Sequence, residues 1–331
     1  MDQMINIAQI GVGYWGPNLL RNLMLNKSCK VKIVIDISRE RRKFVQNLYP
    51  TIAVSSNAED VFNDPTINAV VISTPVATHY SLTIQALKSG KHVLVEKPMA
   101  TTVAEVDQIA RLSKDNDLVA MVGHTFLYNP AVRYVKRLID SDELGDIRYI
   151  YSQRLNLGRI RSDIDALWNF SPHDISIIQY WLGNPSPTSV ERSGMAYVQD
   201  GIDDVVFMNI KYPKNILVNI HVSWLDPNKV RRMTLVGSEK MVVYNDLAEK
   251  KVAIYDKGID RRAVLGEHMD FDDPSASIYN YRSGDAVWPE IQWEEPLKVE
   301  IEHYIDCIMY GTQCLSGVDQ AKNVVSILNA G

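Results

Sequence analysis

The chain has 331 residues, of which 46% are hydrophobic and 23% charged, and its formal net charge is −5. That composition excludes disordered, collagen-like and coiled-coil readings, and the length suits two domains with separate cores. The acidic balance argues against a nucleic-acid partner, so any anion site must be local. No apolar stretch reaches the roughly 18 residues of a membrane span. Met1–Ile10 lacks the basic and small-residue signals of a secretion leader, so no membrane partner is expected. Cys29, Cys307 and Cys314 show no CxxC spacing, which fits a reducing cytoplasm with no disulfide framework and no metal site.

Five short apolar runs rich in Val and Ile punctuate the first 120 residues. They are Ile5–Ile10, Val31–Ile35, Ala69–Ile72, Val93–Val95 and Leu118–Val122, ending respectively at glycines, Asp36, Ser73-Thr74-Pro75, Glu96-Lys97-Pro98 and Gly123-His124. Runs apolar on both faces are expected of buried parallel strands. Helical patterns lie between them: a stripe of Leu19, Leu20, Leu23 and Met24, a second helix with Leu82, Ile84, Ala86 and Leu87, and a third opened by a Thr102–Glu105 capping box. Strand–helix alternation of this length predicts a doubly wound α/β domain over residues 1–123.

The period then changes. Pro130–Asp140 reads as a helix and Ile147–Leu155 as a strand, and from Val190 to about Tyr255 the pattern alternates with period two. Ile216, Val218, Ile220, Val222 and Trp224 face one way; Leu217, Asn219, His221, Ser223 and Leu225 face the other. This predicts an antiparallel meander in an α+β domain over 124–331, with residues 258–290 as a long irregular excursion. Two helices close the chain, carrying Ile301, Ile305, Ile308 and Met309, then Val318, Ala321, Val325 and Leu328. No capping sequence follows Gly331, so further residues are expected beyond it. The apolar row should pack on the domain's own helices. That leaves the mixed row as a self-complementary surface for a homodimer or dimer of dimers.

Gly11-Val12-Gly13-Tyr14-Trp15-Gly16 follows a predicted strand and opens a predicted helix, the context a dinucleotide-binding loop requires. Gly11 permits the turn, Gly13 lets backbone approach a pyrophosphate, and Gly16 lets helix and strand pack closely. Tyr14 and Trp15 ride on the loop, and the helix N-terminus offers amide donors to the anion. Asp36 ends the next run, where a carboxylate accepts from ribose hydroxyls and disfavours a 2′-phosphate, so NAD is expected over NADP. Arg39, Arg41 and Arg42 follow, either softening that preference or simply solvated. Ser73, Thr74, Pro75, His79, Glu96 and Lys97 lie at carboxyl ends of strands, where such sheets bind ligands. Lys97 there either points into the cleft or pairs with Glu96 at the surface. Downstream, Asn169 precedes His173 by four residues at an expected helix start near Pro172. Arg154, Arg159 and Arg161, with Asn156 and Ser162, form a local basic run that is either an anion site or a solvated loop.

These residues together resemble the glucose–fructose oxidoreductase, inositol dehydrogenase and MocA (Gfo/Idh/MocA) family over the whole chain. The marks are Gly11–Gly16, the Ser73-Thr74-Pro75…His79 segment, Glu96-Lys97-Pro98 and the helix near His173. The resemblance implies a Rossmann domain followed by an α+β domain with an open, mostly antiparallel sheet that pairs subunits into dimers or tetramers. It also implies hydride transfer between NAD(P) and a sugar or cyclic polyol, with Lys97 and His173 as the catalytic pair. Asn169 stands where many members carry Asp; it can orient substrate but cannot act as a base. The stretches His124–Pro130 and Arg154–Asp174 are most similar to the nucleotide-sugar branch, which oxidises a sugar C3 hydroxyl in surface-polysaccharide synthesis. Its substrates are of the UDP-N-acetylglucosaminuronate type, whose diphosphate and carboxylate the arginine run would suit. Two other readings stand beside it: a dehydrogenase of a free cyclitol or aldose, and a non-catalytic NAD(H)-binding regulator.

Overall fold

The structure, a computed structural model, describes residues 4–158, 160–263 and 277–330. In chain order the elements are β1 (Ile5–Ile10), α1 (Gly16–Leu25), β2 (Cys29–Ile35), α2 (Arg39–Leu48), β3 (Ala53–Ser55), α3 (Glu59–Phe62), β4 (Ala69–Ile72), α4 (His79–Lys88), β5 (His92–Glu96), α5 (Val103–Asp115) and β6 (Ala120–Gly123). They continue with α6 (Pro130–Asp140), β7 (Ile147–Leu157), α7 (Ala166–Leu182), β8 (Ser189–Met195), β9 (Val205–Tyr212), β10 (Ile216–Ser223), β11 (Leu225–Gly237), β12 (Met241–Asn245), β13 (Val252–Ala263), β14 (Ser277–Val287), α8 (Pro296–Tyr310) and α9 (Val318–Ala330).

The described residues pack as two compact units, one formed by 4–129, 172–184 and 293–330, the other by 130–171 and 185–292. This differs from a single division after Gly123, and the core explains why. Leu297, Ile301, Tyr304 and Ile305 of α8 are buried in one cluster with Ile7, Leu94, Met121, Leu127 and Tyr128. Each such side chain withdrawn from water contributes about 1.5–3 kcal/mol, so the last helices belong with the sheet they shield.

The first unit is built on a six-stranded sheet, order β3-β2-β1-β4-β5-β6, with every neighbouring pair parallel. The reversal of strand order between β1 and β4 puts the loops after those strands at the topological switch point. The edge strand β3 is only three residues long and showed no apolar run. The Thr102–Glu105 capping box forms as expected and starts α5.

The second unit carries an eight-stranded sheet, order β14-β13-β12-β11-β7-β10-β9-β8. It is mostly antiparallel, but the meander is interrupted: β7 inserts between β10 and β11, parallel to the first and antiparallel to the second. Period-two patterning specifies which residues share a face, not which strands are neighbours. Within the polar stretch read as irregular, the described residues form two paired antiparallel strands, with Gly258 opposite Arg282 and Ala263 opposite Ser277; residues 264–276 lie outside the described residues. The ladder needs no apolar face, and Arg282 bonds Asp256 across the pair at 3.0 Å. As expected, Val218, Ile220, Val222 and Trp224 are buried. In the opposite row Leu217 is 45% exposed and Leu225 36%, whereas Ser223 is buried. His221 stacks on Phe207 with ring centroids 4.2 Å apart.

Helix α7 begins earlier than Pro172 suggested. Asp165 caps it, its carboxylate accepting from the Trp168 amide at 2.8 Å, and Pro172 falls inside the helix. The backbone bond that the proline removes is offset by the cap together with the burial of Leu167, Ile175, Ile177, Ile178 and Trp181 along the helix.

Candidate active site

The glycine loop follows β1 in the first unit. Gly11 has φ +92°, and a Cβ there would lie 2.7 Å from the Ser73 carbonyl oxygen. A Cβ on Gly16 would lie 2.7 Å from the Gly11 carbonyl oxygen, so strand, loop and helix close up only with glycine. The space beside Gly13 is open. Beneath the loop the buried Gln9 donates from Nε2 to the carbonyls of Gly11 and Gly16, at 2.9 Å each. The Ser73 hydroxyl donates to the Gly11 carbonyl at 2.7 Å. Among the described residues no side chain caps the N-terminus of α1. Its first amides thus suit an anion, and the exposed Tyr14 and half-exposed Trp15 border it. Asp36 holds the loop as well: Oδ2 accepts from the Val12 amide and Oδ1 from the Ser38 amide, each at 2.8 Å, leaving lone pairs on both oxygens. Arg42 donates to the Asp36 carbonyl at 2.5 Å, and Ser38 caps α2, which begins at Arg39. Open backbone at Gly13, uncapped amides and an acid after β2 fit NAD.

The strand ends carry the second half of the site. Lys97 follows β5, its peptide bond to Pro98 is cis, and its side chain is half-buried. Next to it Glu96 accepts from the Lys97 amide at 3.3 Å and from the Trp15 indole. Burial pushes the Glu96 carboxyl up to about 7, with Lys97 and these donors opposing. His124 follows β6. It is fully buried, and neither ring nitrogen has a partner among the described residues. Burial, then the charge of Lys97, pulls its imidazole down to about 3. Glu300 of α8 completes the group, accepting from the Thr125 hydroxyl at 2.8 Å. Burial and then the charge of Glu96 hold its carboxyl well above the usual range. His173 packs edge-on against Phe126, centroids 5.0 Å apart. Lys97 and His173 are therefore both attached to the surroundings of the segment after β6.

Other expected site residues are placed differently. His79 is buried, with its ring nitrogens 2.8 Å from the carbonyls of Pro98 and Thr74. Burial lowers its pKa, opposed by those carbonyls. Its ring thus ties two loops together. Thr74 meets Thr78 through their hydroxyls at 2.7 Å, and Pro75 is exposed. Asn169, Arg154, Asn156 and Arg161 belong to the second unit. Arg154 is buried on β7 opposite Val222, and Asn156 is half-buried on the same strand. Arg161 makes a bidentate pair with Asp163, at 2.8 and 2.6 Å, while Ser162 is exposed. Arg154 and Arg161 thus differ in burial and in partners, and Arg159 lies outside the described residues. Asn169 and His173 are one turn apart on α7. Gln9, His124 and Glu300 were missed. The signals were polar residues inside apolar patterns and, for His124, a place at the end of a strand.

A glycine loop, an acid after the second strand and a lysine at the fifth strand end define an oxidoreductase with an NAD-binding Rossmann domain. Residues 5–124 match the oxidoreductase family with an NAD-binding Rossmann fold, and residues 132–243 match the GFO/IDH/MocA C-terminal domain. The chain belongs to the Gfo/Idh/MocA family, which removes the non-catalytic reading. It is 24% identical over 339 residues to scyllo-inositol 2-dehydrogenase (NAD(+)) of Bacillus subtilis, covering 98% of this chain and 92% of that protein. It is 27% identical over 194 residues to UDP-N-acetylglucosamine 3-dehydrogenase of Acidithiobacillus ferrooxidans, covering 58% and 59%. The solved structure of that dehydrogenase superposes with a TM-score of 0.81 at 20% identity, covering 98% of this chain and 96% of the other. Among the described residues no helix is long and apolar enough to cross a membrane.

Proposed function

We propose that this chain oxidises a ring secondary alcohol, the C3 hydroxyl of a nucleotide-linked sugar of the UDP-N-acetylglucosaminuronate type, during surface-polysaccharide synthesis in the cytoplasm. The observation that carries the chemistry is the setting of Lys97, an ammonium at a strand end beside Glu96 and near the buried His124. The substrate reading rests on the UDP-N-acetylglucosamine 3-dehydrogenase relative and on the resemblance to UDP-2-acetamido-2-deoxyglucuronate 3-dehydrogenase. NAD, when bound, supplies the hydride acceptor. The amides opening α1 hold its pyrophosphate and Asp36 its ribose. Lys97 polarises the reacting oxygen. His173, as neutral imidazole, takes the hydroxyl proton. Asn169 orients the sugar through hydrogen bonds. The mixed face of the eight-stranded sheet, where Leu217 and Phe207 are exposed, joins two subunits, in a dimer or a dimer of dimers.

A second reading, oxidation of a free cyclitol or aldose, is favoured by the scyllo-inositol dehydrogenase relative, which matches nearly the whole chain. Incubation with NAD and a panel of UDP-sugars, UDP-sugar acids, inositols and aldoses, followed by absorbance of the reduced cofactor, separates the two. Turnover of UDP-sugar acids alone supports the first reading. Turnover of inositols alone transfers the assignment to the second.

A further inference from the structure

Farther along α8, His303 and Cys307 are four residues apart, which puts their side chains on one face of the helix. The helix ends at Gly311 in the left-handed conformation, and the returning loop brings Cys314 back to them. A ring nitrogen of His303 and the sulfurs of Cys307 and Cys314 all lie within 4.8 Å of one another. Cys307 Sγ is 3.5 Å from His303 Nε2. That is the separation across a tetrahedral ion with N and S bonds of about 2.0 and 2.3 Å. Spacing rules for cysteine pairs missed this grouping, because two donors sit at helical rather than CxxC spacing.

We propose that His303, Cys307 and Cys314 form a binding site for one thiophilic divalent ion of the Zn²⁺ class, with water as the fourth ligand. Two ionised sulfurs neutralise the charge of such an ion, and an imidazole completes a donor set typical of zinc. The buried Tyr304 hydroxyl, next to His303 in the chain and without a partner among the described residues, offers a bond to the fourth ligand. The Leu315 amide now donates to His303 Nε2 at 3.0 Å, and an ion at that nitrogen takes its place. Ser316, two residues past Cys314, accepts from the Val122 amide at 2.8 Å, and its hydroxyl meets that of Tyr128 at 2.9 Å. An ion here clamps the loop against β6, just before His124.

The full-length protein, stripped with a chelator and reloaded with Zn²⁺ or Co²⁺ alone, tests this. One equivalent retained through gel filtration is expected, with a sulfur-to-cobalt charge-transfer band in the Co²⁺ form. Cys307→Ser and Cys314→Ser should each abolish the band and weaken Zn²⁺ by more than the about 10–100-fold typical of losing an outer-shell partner. Bound Zn²⁺ should also slow reaction of the two thiols with a disulfide reagent in the unaltered protein, a readout that does not depend on either variant folding. No retained ion at micromolar Zn²⁺, a band that survives both substitutions, or a Cys307–Cys314 disulfide in the purified protein would overturn the proposal.

Discussion

In the second unit Arg192 donates to Asp165 at 2.7 Å and to Asp203 at 2.5 Å, so two carboxylates share one charged donor. In the first unit Glu96, His124 and Glu300 are withdrawn from water with far less. Both nitrogens of His124 and one oxygen of Glu300 have no partner among the described residues. In the first unit's group burial pushes the Glu96 carboxyl up to about 7 and the His124 imidazole down to about 3. Saturated charge fixes a loop; unsaturated charge is kept where a proton or a ligand must come and go.

Removing the lysine at the centre of the unsaturated group should have the largest effect. Lys97→Met, and separately His173→Asn, should lower turnover by about 10²–10⁴-fold while NAD affinity changes little. Steady-state rates with fluorescence titration of NAD check this, and wild-type turnover in both variants would end the proposed mechanism.

The next effect is on stability. Glu96 titrates at about 7 in the folded chain against an ordinary 4.5, so between these values the native state keeps a proton that the unfolded chain has lost. Stability must therefore fall as pH rises through that window, by up to roughly 3 kcal/mol, and then level off. Glu96→Gln should remove this decline in urea titrations at several pH values. His124 works in the opposite sense. Its stabilisation is complete above about 6.5 and is lost as pH falls toward 3, and His124→Asn should flatten that limb.

The saturated group should break differently. Arg192→Met leaves Asp165 and Asp203 without their shared donor and should cost about 1.5–3 kcal/mol at every pH from 6 to 9, by urea unfolding. A pH-dependent loss in that range would erase the distinction between the two groups. Asp36→Ala should weaken NAD by about 10–150-fold, a hydrogen bond to a charged group being worth about 1.5–3 kcal/mol, and relax the preference against NADP. Unchanged NAD affinity in a competition assay would refute the role given to Asp36. The smallest effect is expected at the open sheet face, where His221→Glu should shift the proposed dimer toward monomer in light scattering. A monomeric wild type at micromolar concentration would refute that assembly.

The glycine loop, Asp36 and Lys97 could be read from sequence because each depends on local chain geometry: a turn needing positive φ, a strand end, a lysine before proline. The topology of the first sheet followed for the same reason, from buried runs separated by helices. What escaped depends on residues far apart in the chain. Glu300 meets Thr125 from 175 positions away, and nothing at either residue announces the other. The insertion of β7 beside β10 likewise leaves no mark on the alternation of either strand. Strand β14 was hidden by composition, since an exposed strand pair is held by its backbone ladder and needs no apolar residues to declare it.

The first unit begins with β1, and its core is completed by α8 and α9, which follow the second unit in the chain. During translation its six strands leave the ribosome well before the side chains that finish its core. Until Leu297, Ile301, Tyr304 and Ile305 arrive, their partners Met121, Leu127 and Tyr128 have lost no more than part of their contact with water. A chain ended by a premature stop anywhere in the second unit would carry that apolar surface permanently, presenting chaperones and proteases with a direct reading that synthesis had not reached its end.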